Sequence, residues 1–248
     1  MSDSHIPVHL VLGATGGIGR ALSHRLAATG ARLVLAARTE EPLRALGDEL
    51  GAEVHTVDAT DVAAVEQLVR AVVSSHGRID GAANCVGSLL LKPAHLTSGA
   101  EFATTIAQNL TSAFALVRAA ARPMMDAGGG SIALCSSAAA VTGLANHEAI
   151  AAAKAGVAGL TRSAAATYGA RGVRVNAVAP GLVRTPMTAR VTGNPAGEKA
   201  SLAMHTLPRL GEPDDVAHVL AWLLGPDSSW VTGQVIGVDG GLGTVRPR

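Results

Sequence analysis

The chain has 248 residues, of which 48% are hydrophobic and only 2% aromatic, and its formal net charge is +1. That length suits one large α/β domain or two small ones, with an aliphatic core rich in Ala, Val and Leu that needs no cross-links. A near-neutral charge without a basic run or an aromatic platform argues against nucleic acid as a partner, and no apolar run approaches the length of a bilayer span.

The first predicted strand is PVHLVLG, and GIGRALSHRLAATG follows as a helix ending at Gly30. ARLVLAAR is a strand, EEPLRALGDELG a helix and AEVHTVD a strand again. DVAAVEQLVRAVVSSHG supplies the next helix and RIDGAANCVG the next strand. A long helix is expected from about Glu101 to Asp126, then a strand at SIALCSS. A further helix runs from Asn146, as its cap, to about Ala170, and a strand follows at VRVNAVAPG. The stretch from Met187 to Leu207 is less regular and reads as a mobile flap, since periodicity resumes at PDDVAHVLAWLL. GQVIGVDGG is the last strand. Apolar strands without alternation, separated by helices, are the mark of a parallel sheet covered on both faces. No repeat or domain boundary interrupts the pattern, so residues 1–248 are expected to form one doubly wound α/β domain.

Cys85 and Cys135 lie in apolar runs and read as buried free thiols of a reducing cytoplasm. The N-terminal segment has no charged flank followed by a long apolar region, which also fits a cytoplasmic protein. Of the histidines, His5, His9, His24, His55, His76, His95, His205 and His218 show no ligand spacing, so no metal site is expected.

The segment VLGATGGIGRAL sets Gly13, Gly17 and Gly19 between the first strand and the first helix. A tight turn there needs glycine dihedrals, and the helix N-terminus offers unpaired N–H groups and a positive dipole end to a pyrophosphate. Opening a strand–helix–strand unit, the motif points to a dinucleotide. A site for NAD(H) would place an acidic residue about twenty positions further on. This chain has Ala37 and then Arg38. A guanidinium grips a 2′-phosphate in bidentate fashion, so NADP(H) is favoured over NAD(H). A solvated arginine at a strand end is the plainer reading of Arg38.

With ANCVG, NLTSAF, CSSAAA, AAAKAG, RVNAVAPGLVRTPM and VTGQVIGVDGG following the glycine loop in order, the chain resembles the short-chain dehydrogenase/reductase family from about residue 7 to residue 243. The resemblance implies a Rossmann-type fold with a seven-stranded, predominantly parallel sheet, commonly assembled as a tetramer. It also implies hydride transfer between a nicotinamide cofactor and a small carbonyl or alcohol substrate. By the same resemblance, Gly13, Thr15, Gly17, Ile18 and Gly19 hold the pyrophosphate and Asp58 meets the adenine amino group. Asn84 and Gly87 support strand and cofactor, Asn109 helps hold a water chain, and Ser137 binds the substrate oxygen. Lys154 binds the nicotinamide ribose, while Pro180, Gly181, Val183 and Thr185 line the nicotinamide. Singly, Asp58 could be a turn residue, Asn109 a polar helix residue and Ser137 a strand-end cap.

One position departs from the family. Four residues before Lys154 the family has a tyrosine, which exchanges the proton as hydride moves; this chain has Ile150. The i, i+4 spacing places both residues on one helix face, where the lysine charge would lower a phenol's pKa. The chain's one tyrosine, Tyr168, lies fourteen residues past Lys154, about 21 Å along a helix and out of reach. His147 is the leading substitute acid, seven residues before Lys154 and on nearly the same helical stripe, within about 11 Å. Its plainer reading is the first helical residue after an Asn146 cap, with Glu148 beside the positive dipole end. A second route has Lys154 protonating the substrate through a water held by Asn109, with Ser137 orienting the carbonyl.

Three functions fit these residues: an NADP(H)-dependent oxidoreductase with a substituted proton donor, a cofactor-binding sensor or partner subunit without chemistry, or a non-redox enzyme using the same cleft. Leu89, Leu90, Leu91 and Leu144 are expected to line an apolar pocket beneath the flap. The helices at 101–126 and 146–170, rich in small residues, could pair across a two-fold axis in a homo-oligomer.

Overall fold

The computed structural model describes residues 6–246; His5 lies outside the described residues. Seven strands form one sheet: β1 (Val8–Leu12), β2 (Arg32–Ala37), β3 (Glu53–Thr56), β4 (Gly81–Asn84), β5 (Gly130–Cys135), β6 (Val173–Pro180) and β7 (Val235–Val238). Their order is β3-β2-β1-β4-β5-β6-β7, and every pair is parallel. The chain winds outward from β1 to β3, then crosses back to lay β4 on the other side of β1. That reversal leaves a crevice above the carboxyl ends of β1 and β4, where ligands bind in open α/β sheets.

Nine α-helices are described: α1 (Gly17–Ala27), α2 (Glu40–Leu50), α3 (Val62–His76), α4 (Gly99–Ile106), α5 (Ser112–Asp126), α6 (Glu148–Tyr168), α7 (Ala189–Thr192), α8 (Pro195–Leu202) and α9 (Pro213–Leu224). The period of two along each strand divides the core. Leu10, Leu12, Val34, Ile132 and Leu134 face α3, α5 and α6, whereas Val11, Leu33, Leu35, Ala133 and Val178 face α1, α2 and α9. Both faces are buried, so the strands read as unbroken apolar runs.

Helix ends follow local chemistry. Asp61 caps α3 by accepting from the Ala63 and Ala64 N–H groups at 2.9 and 3.1 Å, and Gly77 ends it in the left-handed region at φ 77°. Ser98 and Glu101 form a reciprocal capping box at the start of α4.

Three expectations are corrected here. The helix expected from Glu101 to Asp126 begins at Gly99, because the Ser98 box captures two more residues, and it is interrupted by a π-helical turn over Ala107–Thr111. The helix expected to be capped by Asn146 is instead capped by His147, with Glu148 as its first residue. Asn146 sits at φ 63°, a left-handed conformation that asparagine tolerates better than most side chains, and the chain turns into the helix through it. The segment 187–207 is a 3-10 turn (Pro186–Thr188) followed by α7 and α8, with Asn194 capping α8.

Candidate active site

A cavity of about 290 Å³ opens above the β1/β4 switch point. Of the sequence-derived site residues it collects Thr15, Gly17, Ile18, Gly87, Asn109, Ser137, Lys154, Pro180, Gly181, Val183 and Thr185, together with Ile150. A hollow of about 180 Å³ adjoins it, lined by Gly13, Ala37, Arg38 and Thr39 among others. A third chamber of about 210 Å³ takes in Leu89, Leu91, Leu144 and His147 and shares Ser137, Ile150, Pro180 and Gly181 with the first. Leu90 lines none of the three.

The glycine loop is dictated by close approach. Gly13 has φ 75°, and a Cβ on it would stand 2.8 Å from the Val86 nitrogen. A Cβ on Gly19 would stand 2.2 Å from the Gly13 carbonyl oxygen, and one on Gly17 would stand 2.8 Å from Thr185 Cγ2. The N-cap of α1 is Gly16, which offers no side-chain hydrogen bond. The first-turn N–H groups therefore remain open to a ligand from the cavity side, as an anion site at a helix N-terminus requires. The loop fits a pyrophosphate.

Arg38 is exposed just past β2 on the wall of the second hollow, whose lining holds no acidic side chain. Asp58 is not part of that lining, although Val57 and Ala59 are. Its carboxylate accepts from the Thr60 N–H and hydroxyl, both at 2.9 Å. The Thr60 backbone bond, with help from that hydroxyl and from Arg38, holds the carboxyl below the usual range. Asp58 thus forms a turn at the rim.

Asn84 is buried at the end of β4, donating to Ser112 Oγ at 3.0 Å and accepting from the Val86 N–H at 2.9 Å. The π turn presents Asn109 to the cavity. Its Nδ2 donates to the Thr105 carbonyl (2.9 Å) and Ser88 Oγ (3.0 Å), and its Oδ1 accepts from the Ser88 N–H at 3.2 Å. Asn84 and Asn109 therefore clamp the two ends of the 85–88 loop. Ser88 completes the clamp, and no sequence motif had singled it out.

Ile150 and Lys154 share one face of α6, as their spacing requires, and both line the main cavity. Lys154 is only 7% exposed. Its Nζ donates to the Cys135 carbonyl at 2.7 Å, and burial pulls its pKa down, opposed by Cys135 and Cys85. Ser137 accepts from the Ala139 N–H at 3.1 Å, capping a 3-10 turn, and faces both the main cavity and the third chamber. Its cap role and its place on the cavity wall coexist. His147 lines the third chamber, not the main cavity; its Nδ1 donates to the Ala145 carbonyl at 2.7 Å, which leaves Nε2 as the uncommitted nitrogen. Tyr168 closes the far end of α6, where it lines a separate surface hollow with Glu66 and Phe114, and belongs to none of the three cavities.

Three further residues bear on the site although sequence reasoning assigned them no part in it. His205, 5% exposed, donates from Nδ1 to the Ser201 carbonyl at 2.7 Å and accepts from the Leu182 N–H at 3.4 Å. Gly181 is glycine because a Cβ there would stand 2.8 Å from His205 Nε2. Cys85 and Cys135 are free, half-buried and on the cavity wall. Among the described residues no group of three or more His, Cys, Asp or Glu is placed to hold a metal, and no helix is long and apolar enough to cross a membrane.

The family model described as enoyl-(acyl carrier protein) reductase matches residues 13–243. D-threitol dehydrogenase of Mycolicibacterium smegmatis is 34% identical over 239 residues, 94% of this chain and 92% of that protein. A 3-oxoacyl-(acyl-carrier-protein) reductase of Vibrio cholerae is 35% identical over 95% of this chain and 96% of its own length. Among solved structures, a short-chain type dehydrogenase/reductase from Mycobacterium ulcerans superimposes with a TM-score of 0.93 at 33% identity, covering 97% of this chain and 91% of that one. Sheet order, glycine turn and these relatives agree over nearly the whole length, and the chain is a member of the short-chain dehydrogenase/reductase family of oxidoreductases.

Proposed function

We propose that this chain is an NADP(H)-dependent oxidoreductase that interconverts a small carbonyl and an alcohol with a substituted proton donor. In this reading it is one undivided dinucleotide-binding domain and works in the cytoplasm as a homotetramer. The observation that carries the reading is the buried Lys154 ammonium in one cavity with the Ser137 hydroxyl and an uncapped helix N-terminus. The nicotinamide, when bound, supplies or accepts the hydride.

The chain's own residues do the rest. The open N–H groups of α1 receive the pyrophosphate. Arg38, on a wall without carboxylates, favours a 2′-phosphate over a bare ribose hydroxyl. Lys154, anchored on the Cys135 carbonyl, holds the nicotinamide ribose, and Pro180, Gly181, Val183 and Thr185 border the ring. Ser137 donates to the substrate oxygen and orients it.

Reduction also needs a proton for the developing alkoxide, and Ile150 has none to give. Both amide protons of Asn109 are committed to Ser88 and Thr105, so toward a water it has only acceptor capacity left. His147 is better placed. Its tautomer is fixed by the Ala145 carbonyl, and the ring lines the same chamber as Ser137 and Ile150. In the protonated ring, Nε2–H gives its proton to the substrate oxygen.

The test follows NADPH absorbance with a panel of ketones. His147→Ala is expected to lower turnover by about 10²-fold or more, while Glu148→Ala, altering an exposed neighbour, keeps most of it. Full turnover in His147→Ala would remove the histidine from the mechanism, and NADPH binding without turnover on any ketone would leave a cofactor-binding module. The tetramer reading draws on Phe102 and Phe114, exposed at 45% and 47% on α4 and α5; a monomer by light scattering contradicts it.

A further inference from the structure

The chain's only two cysteines stand fifty residues apart, and the sheet register brings them together. Strands β4 and β5 pair Asn84 with Leu134, so the next residues along the two strands, Cys85 and Cys135, are neighbours. Adjacent strands lie about 4.8 Å apart, inside the range of about 4.4–6.8 Å between Cα atoms that a disulfide spans. Both side chains pack on the α1/α9 face of the sheet. Both are half-buried rather than sealed, and both line the main cavity with Gly17 and Ile18. Nothing in the proposed hydride chemistry uses their thiols; only the Cys135 backbone carbonyl takes part, by anchoring Lys154.

We propose that Cys85 and Cys135 form an oxidation site in the floor of the cofactor cleft, which a peroxide-class oxidant closes to a cross-strand disulfide and which bound nicotinamide cofactor shields. The shielding rests on the cofactor reading given above; the disulfide rests on strand register alone. The neighbouring Cys85 thiol, and Lys154 beyond it, pull the Cys135 pKa down, whereas hydrogen bonding to Cys135 and burial push Cys85 up. Cys135 is therefore the attacking thiolate. Its sulfur attacks a peroxide oxygen, the O–O bond breaks, and the departing oxygen leaves as water after taking up a proton. Cys135 is then a sulfenic acid. The Cys85 thiol attacks that sulfur, an S–S bond forms, the S–O bond breaks, and the hydroxide leaves as a second water with the Cys85 proton. Each sulfur has given up one electron, and the peroxide has taken two. A disulfide between directly paired strands on an accessible wall belongs to the readily reduced kind, so a dithiol returns the starting pair.

The experiment treats fully reduced protein with hydrogen peroxide, with and without NADPH, alkylates the remaining thiols and measures intact mass. Without NADPH, the protein is expected to lose two hydrogens and both alkylation sites, and to recover both sites in dithiothreitol. In Cys85→Ser the reaction stops at a Cys135 sulfenic acid that dimedone traps. NADPH at ten times its Kd slows disulfide formation by a factor of about ten. Retention of both alkylation sites, or gain of oxygen without loss of the two hydrogens, overturns the proposal. An unchanged rate while NADPH fluorescence reports binding to the reduced protein overturns the shielding. Absence of that binding signal overturns the cofactor reading, and the shielding with it, while the mass result still decides the disulfide.

Discussion

In the proposed reading, a single side chain at position 150 separates this site from one with a phenol over the nicotinamide. Ile150 is 3% exposed, yet it borders two open chambers, so a larger ring there would grow into free space rather than into packed core. Ile150→Tyr sets a phenol four residues before a buried ammonium, which stabilises the phenolate. Ketone reduction is expected to rise by about 10²–10⁴-fold in kcat, and Ile150→Tyr combined with His147→Ala should keep that gain. Stopped-flow or steady-state NADPH oxidation measures both; a double variant no faster than His147→Ala alone would show that the phenol does not reach the substrate. At the other end of the cleft the question is recognition. A charge-assisted bond contributes about 1.5–3 kcal/mol, so Arg38→Ala should weaken NADPH binding by about 10- to 100-fold. NADH binding should change little. Equal losses for both cofactors would place Arg38 away from the 2′-phosphate.

The elements were legible where chemistry is local. The run from Asp61 to Gly77 bounds α3, and the strands show as apolar runs because both faces of the sheet are covered, whereas the Ser98–Glu101 box escaped and starts α4 two residues before the expected Glu101. The site was legible through its motifs: Gly13, Ser137 and Lys154 fall on the switch-point cavities that their order along the chain implied. What escaped depends on three-dimensional choice. A π turn adds one residue to a helix and barely disturbs its apolar period, so Ala107–Thr111 read as plain helix. Asn146 and His147 compete to cap α6, and only the left-handed dihedral of Asn146 decides between them. Cys85 meets Cys135 through register, which no linear pattern carries. His205 escaped because its partners are backbone groups. It ties the end of α8 to the Leu182 N–H beside Gly181, and so links the 187–207 segment to the Pro180–Gly181 wall of the cavity. His205→Ala leaves the Ser201 carbonyl and the Leu182 N–H without this partner, at a cost of about 1–3 kcal/mol. Amide exchange in α8 should accelerate, and the substrate KM should rise more than the NADPH Kd. Unchanged exchange across residues 195–202 would mean that α8 is held by its other contacts.

At the scale of the whole molecule, a titratable liability lies at the end of the sheet opposite the site. His9 stands in the second position of β1 at 6% exposure, and its Nδ1 has no hydrogen-bond partner. Its ring fills the space that a side chain on Gly81 would need: a Cβ there would lie 2.1 Å from Nδ1. Burial lowers the His9 pKa from 6.5 to about 4, and the nearby Asp80 charge only partly opposes this. Asp80 is already engaged with the Val8 N–H at 2.8 Å and with Arg78 at 2.6 Å. The unfolded chain therefore takes up a proton near pH 6.5 that the folded chain refuses until about pH 4. Between those values the unfolded state holds more protons, so stability rises with pH. It is fully present above the upper value and falls as the solution is acidified toward the lower one, by ~3 kcal/mol in total. His9→Phe keeps a ring of similar shape and has nothing to protonate. Other carboxylates also respond to acid, but they are common to both proteins, so the difference between variant and parent isolates His9. Urea unfolding at about pH 7.5 and about pH 4.5 should show that difference shifting toward the variant by ~2–3 kcal/mol at the lower pH. An equal difference at both pH values would mean that His9 is not the group whose protonation loosens the sheet.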